Sequence, residues 1–491
     1  MQRIPAGFLP PVAMDVGSDM PMYQQLSEWF RRSISSGQLR PGQRVPSTRS
    51  LAHELGISRI PVLGAYEQLQ SEGFLETFTG AGTCVARAIP ADMTMERAKR
   101  ASFLSASPPG GSRRTSRRAV LMRSPEATWL ANMGAFRVGL PALDAFPFAL
   151  WSKLVSRHAR HLSMEAMGYG DPMGHLPLRE AIAEYLGAAR AVRCDASQVL
   201  ITTGAQQALQ ICAHVLLDPG ERVWMEDPGY PGAHQALRTA GAELVPVPVD
   251  AEGIDVAHGA RVGADARAVY ISPSHQFPLG MAMSASRRMQ LLRWAASNDA
   301  WIIEDDYDSE YRFGSRPLSS LQGTDTHARV IYIGTFSKVM FPALRLGYIV
   351  VPPDLVPDFH AGRDAIDTFS SMLYQSAMTE FIREGHFARH IRSMRTLYME
   401  RRVAVHDAIR RYLGDRLEVI GTEAGMQLAG LLPPGVDDVA VSRRAASMGV
   451  SVRPLTPCYI VPPERGGLIL GYGGASLADI DDGVRKLSLC L

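Results

Sequence analysis

The chain has 491 residues, a formal net charge of +2 and 46% hydrophobic residues. That length exceeds what one hydrophobic core supports and predicts about two to three domains. The composition excludes a disordered or globally basic protein, so any nucleic-acid contact must be local. Five scattered cysteines, Cys84, Cys194, Cys212, Cys458 and Cys490, have no CxxC spacing. They predict neither a disulfide framework nor a metal site, and a reducing cytoplasm is the expected location. The opening MQRIPAGFLPPVAMDV has no uninterrupted apolar segment ahead of a small-residue cleavage site, and no run reaches the roughly 18 apolar residues of a membrane span. No export or anchoring signal is expected.

From Pro21, PMYQQLSEWFRRSISSGQL places Tyr23, Leu26, Phe30 and Ile34 at three- and four-residue spacings, an amphipathic helix closed by Gly37. Ser47 can cap a short helix, SLAHEL; Gly56 breaks the chain; Ser58 can cap a second helix through PVLGAYEQLQSEG. FLETFTGAGTCVA then alternates around a glycine-rich tip, the signature of a hairpin. Helix, helix, turn, helix and hairpin make a winged helix-turn-helix. Its second short helix would enter a major groove with Ser58 and Arg59 leading, while Ser47 and Arg49 meet phosphates and Gly80 and Gly82 shape a wing. Any one of these arginines could be a solvated surface charge; the order of elements is the specific signal.

Residues 89–128, including ERAKRASFLSASPPGGSRRTSRRAV, lose all periodicity and read as a flexible basic linker. From Trp129 short apolar strands alternate with helical stretches: VLITTG, AQQALQICAHVLL, ERVWMED, ARAVYIS, SASRRMQLLRWAAS, WIIEDD and VIYIGT. This predicts an α/β domain with a largely parallel sheet, whose ligands gather at the carboxyl ends of the strands.

One such strand ends in GTFSK. A lysine amine attacks a carbonyl only when neutral, and burial at a strand end lowers its pKa. A carbonyl cofactor such as pyridoxal phosphate also needs an acid for its ring nitrogen, a phosphate cradle and a flat surface. WIIEDDYDSEY, TTGAQQAL and DPGYPG offer these in turn. Each alone is more often a solvated loop, a turn or a cap; four in one α/β domain are harder to dismiss.

Residues 17–88 resemble the GntR class of bacterial winged-helix regulators, in LRPGQRVPSTRSLAHELGISR and AYEQLQSEGFLE. That family continues Ser-Arg with Asn-Thr-Val, whereas here Ile60 and Pro61 precede Val62, which implies an altered operator preference. Residues 129–491 resemble fold-type I aminotransferases, in GYGDPMGHLPLREAIAEYL, TTGAQQAL, EDPGYPG, PSHQFPLG, EDDYDSEYR and GTFSKVMFPALRLGY. The resemblance implies that Lys338 forms a Schiff base, the internal aldimine, with pyridoxal 5'-phosphate. Asp305 would pair with the pyridinium nitrogen, Tyr307 approach the ring hydroxyl and Tyr230 stack on the ring. Gly204, Ala205, Gln206, Thr335 and Arg345 would hold the phosphate, with Tyr169 reaching the phosphate of a partner subunit. Phe277 replaces the family's asparagine, so His275 or Gln276 would compensate. The strand that usually carries the carboxylate-binding arginine reads GLILGYGG; Arg453 and Arg465 lie nearby in sequence, where a lone loop arginine is ordinarily solvated.

A GntR-like reader fused to an aminotransferase-like domain resembles the MocR group of regulators, as does AFRVGLPALDAFP at 135–147. The implied fold class is α/β: an N-terminal winged helix-turn-helix joined by a linker to a large fold-type I, pyridoxal-phosphate-dependent transferase-like effector and dimerisation domain. The implied function is a cytoplasmic, homodimeric transcription regulator that binds operator DNA and senses an amine, an amino acid or pyridoxal phosphate itself. The missing carboxylate arginine favours pyridoxal phosphate or an atypical amine. The alternative is an active aminotransferase with an accessory DNA-binding domain; residual transaminase activity is compatible with the sensor.

Overall fold

The computed structural model describes residues 20–78, 82–87, 115–122, 134–313, 318–421 and 424–491, together with residues 12, 14 and 18. It divides into two compact units, Met1–Thr115 and Ser116–Leu491.

The first unit is built from α1 (Met22–Ser35), α2 (Thr48–Glu54), α3 (Arg59–Ser71) and an antiparallel hairpin of β1 (Leu75–Phe78) and β2 (Gly82–Val85). Leu26, Phe30 and Ile34 of α1 are buried against Val62, Ala65, Tyr66 and Leu69 of α3, but Tyr23 stays exposed. Phe30 meets Tyr66 edge-on at 5.5 Å, and the Tyr66 hydroxyl donates to the Pro46 carbonyl at 2.9 Å, fixing the turn ahead of α2. Ser47 caps α2, its Oγ accepting from Ser50 N at 3.1 Å. Ser58, expected to cap α3 in the same way, makes no such bond. The reason is in the sequence: the N–H a cap would accept three residues on belongs to Pro61, which has none.

Within the stretch read as linker, Arg117–Leu121 forms a short helix, α4, which Ser116 caps at Ala119 N. The Gln235 side chain donates to the Met122 carbonyl at 2.8 Å, tying the end of α4 to the rest of the second unit. Apart from 115–122, that stretch lies outside the described residues.

The second unit centres on an eight-stranded sheet. Its strands are β3 (Val199–Thr202), β4 (Arg222–Asp227), β5 (Glu243–Asp250), β6 (Gly253–Ile254), β7 (Ala268–Ile271), β8 (Trp301–Asp306), β9 (Val330–Thr335) and β10 (Gly347–Val350), in spatial order β3-β10-β9-β8-β7-β4-β5-β6. The five strands β9-β8-β7-β4-β5 run parallel; β10 runs antiparallel to both its neighbours, and β6 to β5. The central strands β7, β8 and β9 are buried along their length because both faces are covered. Val223, Met225, Tyr270, Ile303, Ile331 and Ile333 enter one core, and Trp224, Val269, Ile271, Ile302 and Val330 the other. Trp224 stacks on Trp294 at 3.7 Å and donates through Nε1 to the Gly263 carbonyl.

A second, antiparallel sheet follows: β11 (Glu418–Ile420), β12 (Gln427–Leu431), β13 (Arg453–Pro454) and β14 (Gly467–Gly471), in the order β11-β12-β14-β13. Its two- to five-residue strands are too short for periodicity to announce. Among the described residues no helix is long and apolar enough to cross a membrane, and no His, Cys, Asp and Glu group could hold a metal ion.

Trp224→Ala removes a fully buried stack and an indole hydrogen bond at once. It is expected to lower the unfolding free energy of the large unit by about 3–5 kcal/mol, read from chemical denaturation followed by fluorescence.

Candidate functional site

Because β7, β8 and β9 run parallel, their carboxyl ends meet at one edge of the sheet. Lys338 follows β9 by three residues. Its Nζ donates to the Gly139 carbonyl at 3.1 Å. Gly139 has a φ of +74°, which favours glycine, and a Cβ there would stand 2.3 Å from the amine, so a side chain at this position would displace Lys338. Burial lowers the Lys338 pKa from the ordinary lysine value and Arg453 lowers it further, while the carboxylates of Asp308 and Asp305 pull it back up.

Asp305, next to last in β8, is buried. Oδ2 accepts from the Tyr270 hydroxyl at 2.7 Å, whereas Oδ1 is enclosed and has no partner among the described residues. Burial raises its pKa to about 6, against the pull of the Tyr270 hydrogen bond and of Lys338. A half-satisfied buried carboxylate of this kind is stabilised by a cationic N–H placed opposite its open oxygen.

Beside it, His275 Nδ1 lies 2.8 Å from Asp308 Oδ1 and 3.1 Å from the Tyr307 hydroxyl. A carboxylate only accepts, so it draws the imidazole proton to Nδ1 and leaves Nε2, buried and unpartnered among the described residues, as an acceptor. Gln276, the other candidate to compensate for Phe277, is fully engaged in holding its own turn. Its Nε2 donates to the Pro228 and Phe277 carbonyls, and its Oε1 accepts from Leu279 N. Phe277 meets Tyr230 at 5.6 Å and Tyr307 at 6.2 Å, both edge-on, forming an aromatic cluster.

Gly204 (φ +121°) heads the helix Ala205–Leu216, whose first amides are free to receive an anion. A Cβ on Gly204 would stand 3.4 Å from Nη1 of Arg345, so that guanidinium lies against the helix start. Arg345 itself is held in the left-handed region, φ +53°. Gln206 donates to the Gly232 carbonyl at 3.1 Å, and Thr335, at the end of β9, accepts from Ser337 N at 3.2 Å. Tyr169 is 93% exposed, and its ring meets Phe369 edge-on at 6.0 Å.

Arg453 departs from expectation. Read in sequence as a solvated loop arginine, it lies instead on β13, directly opposite Ile469 of β14. Side chains directly opposite in an antiparallel pair share one face of the sheet, so Arg453 stands beside Ile469 of the strand that reads GLILGYGG. Its guanidinium sits 5.5 Å from the centre of the Phe277 ring and acts electrostatically on both Lys338 and His234. A strand two residues long, paired with one fourteen residues on, left no signal in the sequence. Tyr270, Asp308 and Gly139 were missed for the same reason: each was visible in a motif, but its partner was not.

In the first unit, Arg49, Ser58 and Arg59 are exposed, Ser47 is committed to its cap, and Arg59 Nε donates to Thr48 Oγ1 at 3.1 Å. Gly82 (φ +85°) closes against Arg44; Gly80 lies outside the described residues.

The bacterial regulatory protein gntR family matches residues 22–85, and the aminotransferase class I and II family matches residues 145–470. The alpha-aminoadipate aminotransferase LysN of Thermus thermophilus, solved with N-(5'-phosphopyridoxyl)-L-leucine, superposes with a TM-score of 0.72 at 30% identity, over 77% of this chain and 97% of that one. The fold and site thus define a DNA-binding transcription regulator built on an aminotransferase scaffold. Over nearly the full length, the chain is 41% identical to the probable rhizopine catabolism regulatory protein MocR of Rhizobium meliloti, covering 97% of this chain and 95% of that protein. It is 30% identical to the HTH-type pyridoxine biosynthesis transcriptional regulator PdxR of Corynebacterium glutamicum, covering 96% and 98%. The chain belongs to the MocR-type transcription regulators of the gntR family.

Above about pH 6 Asp305 is anionic and supports the protonated form of Lys338. Asp305→Asn removes that support, so the midpoint for reductive methylation of the Lys338 amine, followed by peptide mass spectrometry across pH, is expected to move to lower pH.

Proposed function

We propose that this chain is a homodimeric, pyridoxal-phosphate-dependent regulator in which Lys338 is the point of contact with an amine effector, and that the large unit serves as a sensor. The observation that carries this reading is the open, buried Oδ1 of Asp305 at the strand edge that also bears Lys338. The residues present fit the cofactor: a carboxylate awaiting a cationic N–H, an amine with a lowered pKa, an aromatic cluster, and a helix start flanked by an arginine.

Pyridoxal phosphate, when bound, supplies an aldehyde that condenses reversibly with primary amines. Asp305 would hold the ring nitrogen in its protonated form. Tyr307, oriented by the His275–Asp308 pair, would donate toward the ring hydroxyl, and Tyr230 would cover the ring face. Amides of Gly204, Ala205 and Gln206, with Thr335 and Arg345, would carry the phosphate, and the exposed Tyr169 would reach the phosphate in the partner subunit. The cytoplasm is the compartment in which such a regulator meets its DNA.

Arg453 bears on the effector. A guanidinium on the same face as Ile469 and against the Phe277 ring restores a cationic contact on that side of the site. The favoured effector is therefore an amine that also carries a carboxylate. It shifts DNA binding only to the extent that it binds two arrangements of the protein unequally.

Borohydride reduction of the cofactor-loaded protein is expected to fix a pyridoxyl group on the Lys338 peptide, and Lys338→Ala is expected to take up none. Steady multiple turnover with an amino-acid panel and a keto acid would overturn the sensor reading. Arg453→Gln is expected to weaken binding of amino acids roughly ten- to hundredfold, the worth of a charged hydrogen bond, while leaving amines without a carboxylate unaffected; calorimetry with the two ligand sets checks it.

A further inference from the structure

The exposed stripe of α3 runs Arg59, Ile60, Leu63, Glu67, Gln70. Val62, Ala65, Tyr66 and Leu69, on the opposite side, are consumed by the core. Two members of the stripe are apolar and stand in water: Ile60 is 80% exposed and Leu63 40%. They lie three residues apart, so on a helix they are neighbours. Glu67, a turn further on, would be repelled by phosphates, which leaves the segment from Arg59 to Leu63 as the part that approaches DNA. Arg59 is steered back toward α2 by its bond to Thr48 Oγ1. Pro61 adds neither a backbone N–H nor a polar side chain. Besides the Ser58 hydroxyl and the remaining N–H groups of Arg59, the leading turn therefore offers the base edges two aliphatic side chains.

In the major groove the base edges present donors, acceptors and one apolar group, the 5-methyl of thymine. An aliphatic side chain placed against a donor or acceptor leaves that group unpaired, whereas against the methyl both surfaces lose water together. We infer that Ile60, with Leu63 behind it, is a specificity-determining residue of the DNA reader that recognises the 5-methyl group of thymine in each operator half-site. The inference rests on the DNA-binding role of this unit and goes beyond it by naming the base and the group that is read.

Duplexes are selected from a random-sequence library by the full-length, pyridoxal-phosphate-loaded protein and by Ile60→Asn; position 60 is solvent-exposed, so the fold is expected to survive, and circular dichroism checks it. Wild type is expected to retain duplexes with an invariant thymine in each half-site, and the Ile60→Asn selection to lose it. In the wild-type duplex, deoxyuridine then replaces thymine position by position. At the invariant thymine, loss of the methyl is expected to weaken wild-type binding roughly three- to fivefold per half-site, and Ile60→Asn is expected to bind the thymine and uracil duplexes equally. A wild-type protein indifferent to uracil at every position overturns the proposal, as does a uracil penalty that persists undiminished in Ile60→Asn. If wild type retains no duplex at all, the DNA-reading role itself falls, and the proposal with it.

Discussion

Asp305 is next to last in a strand whose six residues are all buried, and burial penalises its charge unless a cation stands opposite. Tyr270 satisfies one of its oxygens and nothing in the described protein satisfies the other. Lys338 answers only at a distance: its own burial works against its charge, and Arg453 repels it. Each of the two groups favours the charged form of the other while burial opposes the charge of both, a tension set at the edge of the sheet. That tension suits the site to a ligand bringing a protonated ring nitrogen to the acid and a carbonyl to the amine.

The sheet makes this arrangement possible. Five parallel strands covered on both faces bring their carboxyl ends to one edge, and the turns that follow carry Tyr230, His275, Tyr307 and Lys338. The antiparallel β10 and β3 then deliver Arg345 and Gly204 to the same region, with Gly204 opening a helix. Close approaches that only glycine permits recur here. A Cβ at Gly139 would collide with the lysine amine, and one at Gly232 with the Tyr230 ring.

The DNA-reading unit follows a different economy. Its core is small, and Phe30 and Tyr66 knit α1 to α3 and to the turn before α2. With those faces committed, the chemistry of the exposed stripe is free to vary, and here it is aliphatic where polar residues are usual.

Much of this was legible in the sequence because it is local. Helical spacing gave α1 to α3, alternation and glycine gave the hairpin, and apolar runs ending in charged or small residues gave the parallel strands with their edge residues. Tyr23 misled because helical spacing alone does not say how wide the buried stripe is, and Ser58 because the N–H it was to accept is missing at Pro61. The pairings that tune the site stayed hidden: Tyr270 with Asp305, His275 with Asp308, Gly139 with Lys338, and Arg453 beside Ile469. The sequence by itself determined which groups the protein owns and which elements carry them, since local periodicity and backbone preference are written in neighbouring residues. Only the tertiary structure decided which of those groups face one another, because contacts across sixteen to nearly two hundred residues depend on strand register and packing, and these leave no trace in local spacing.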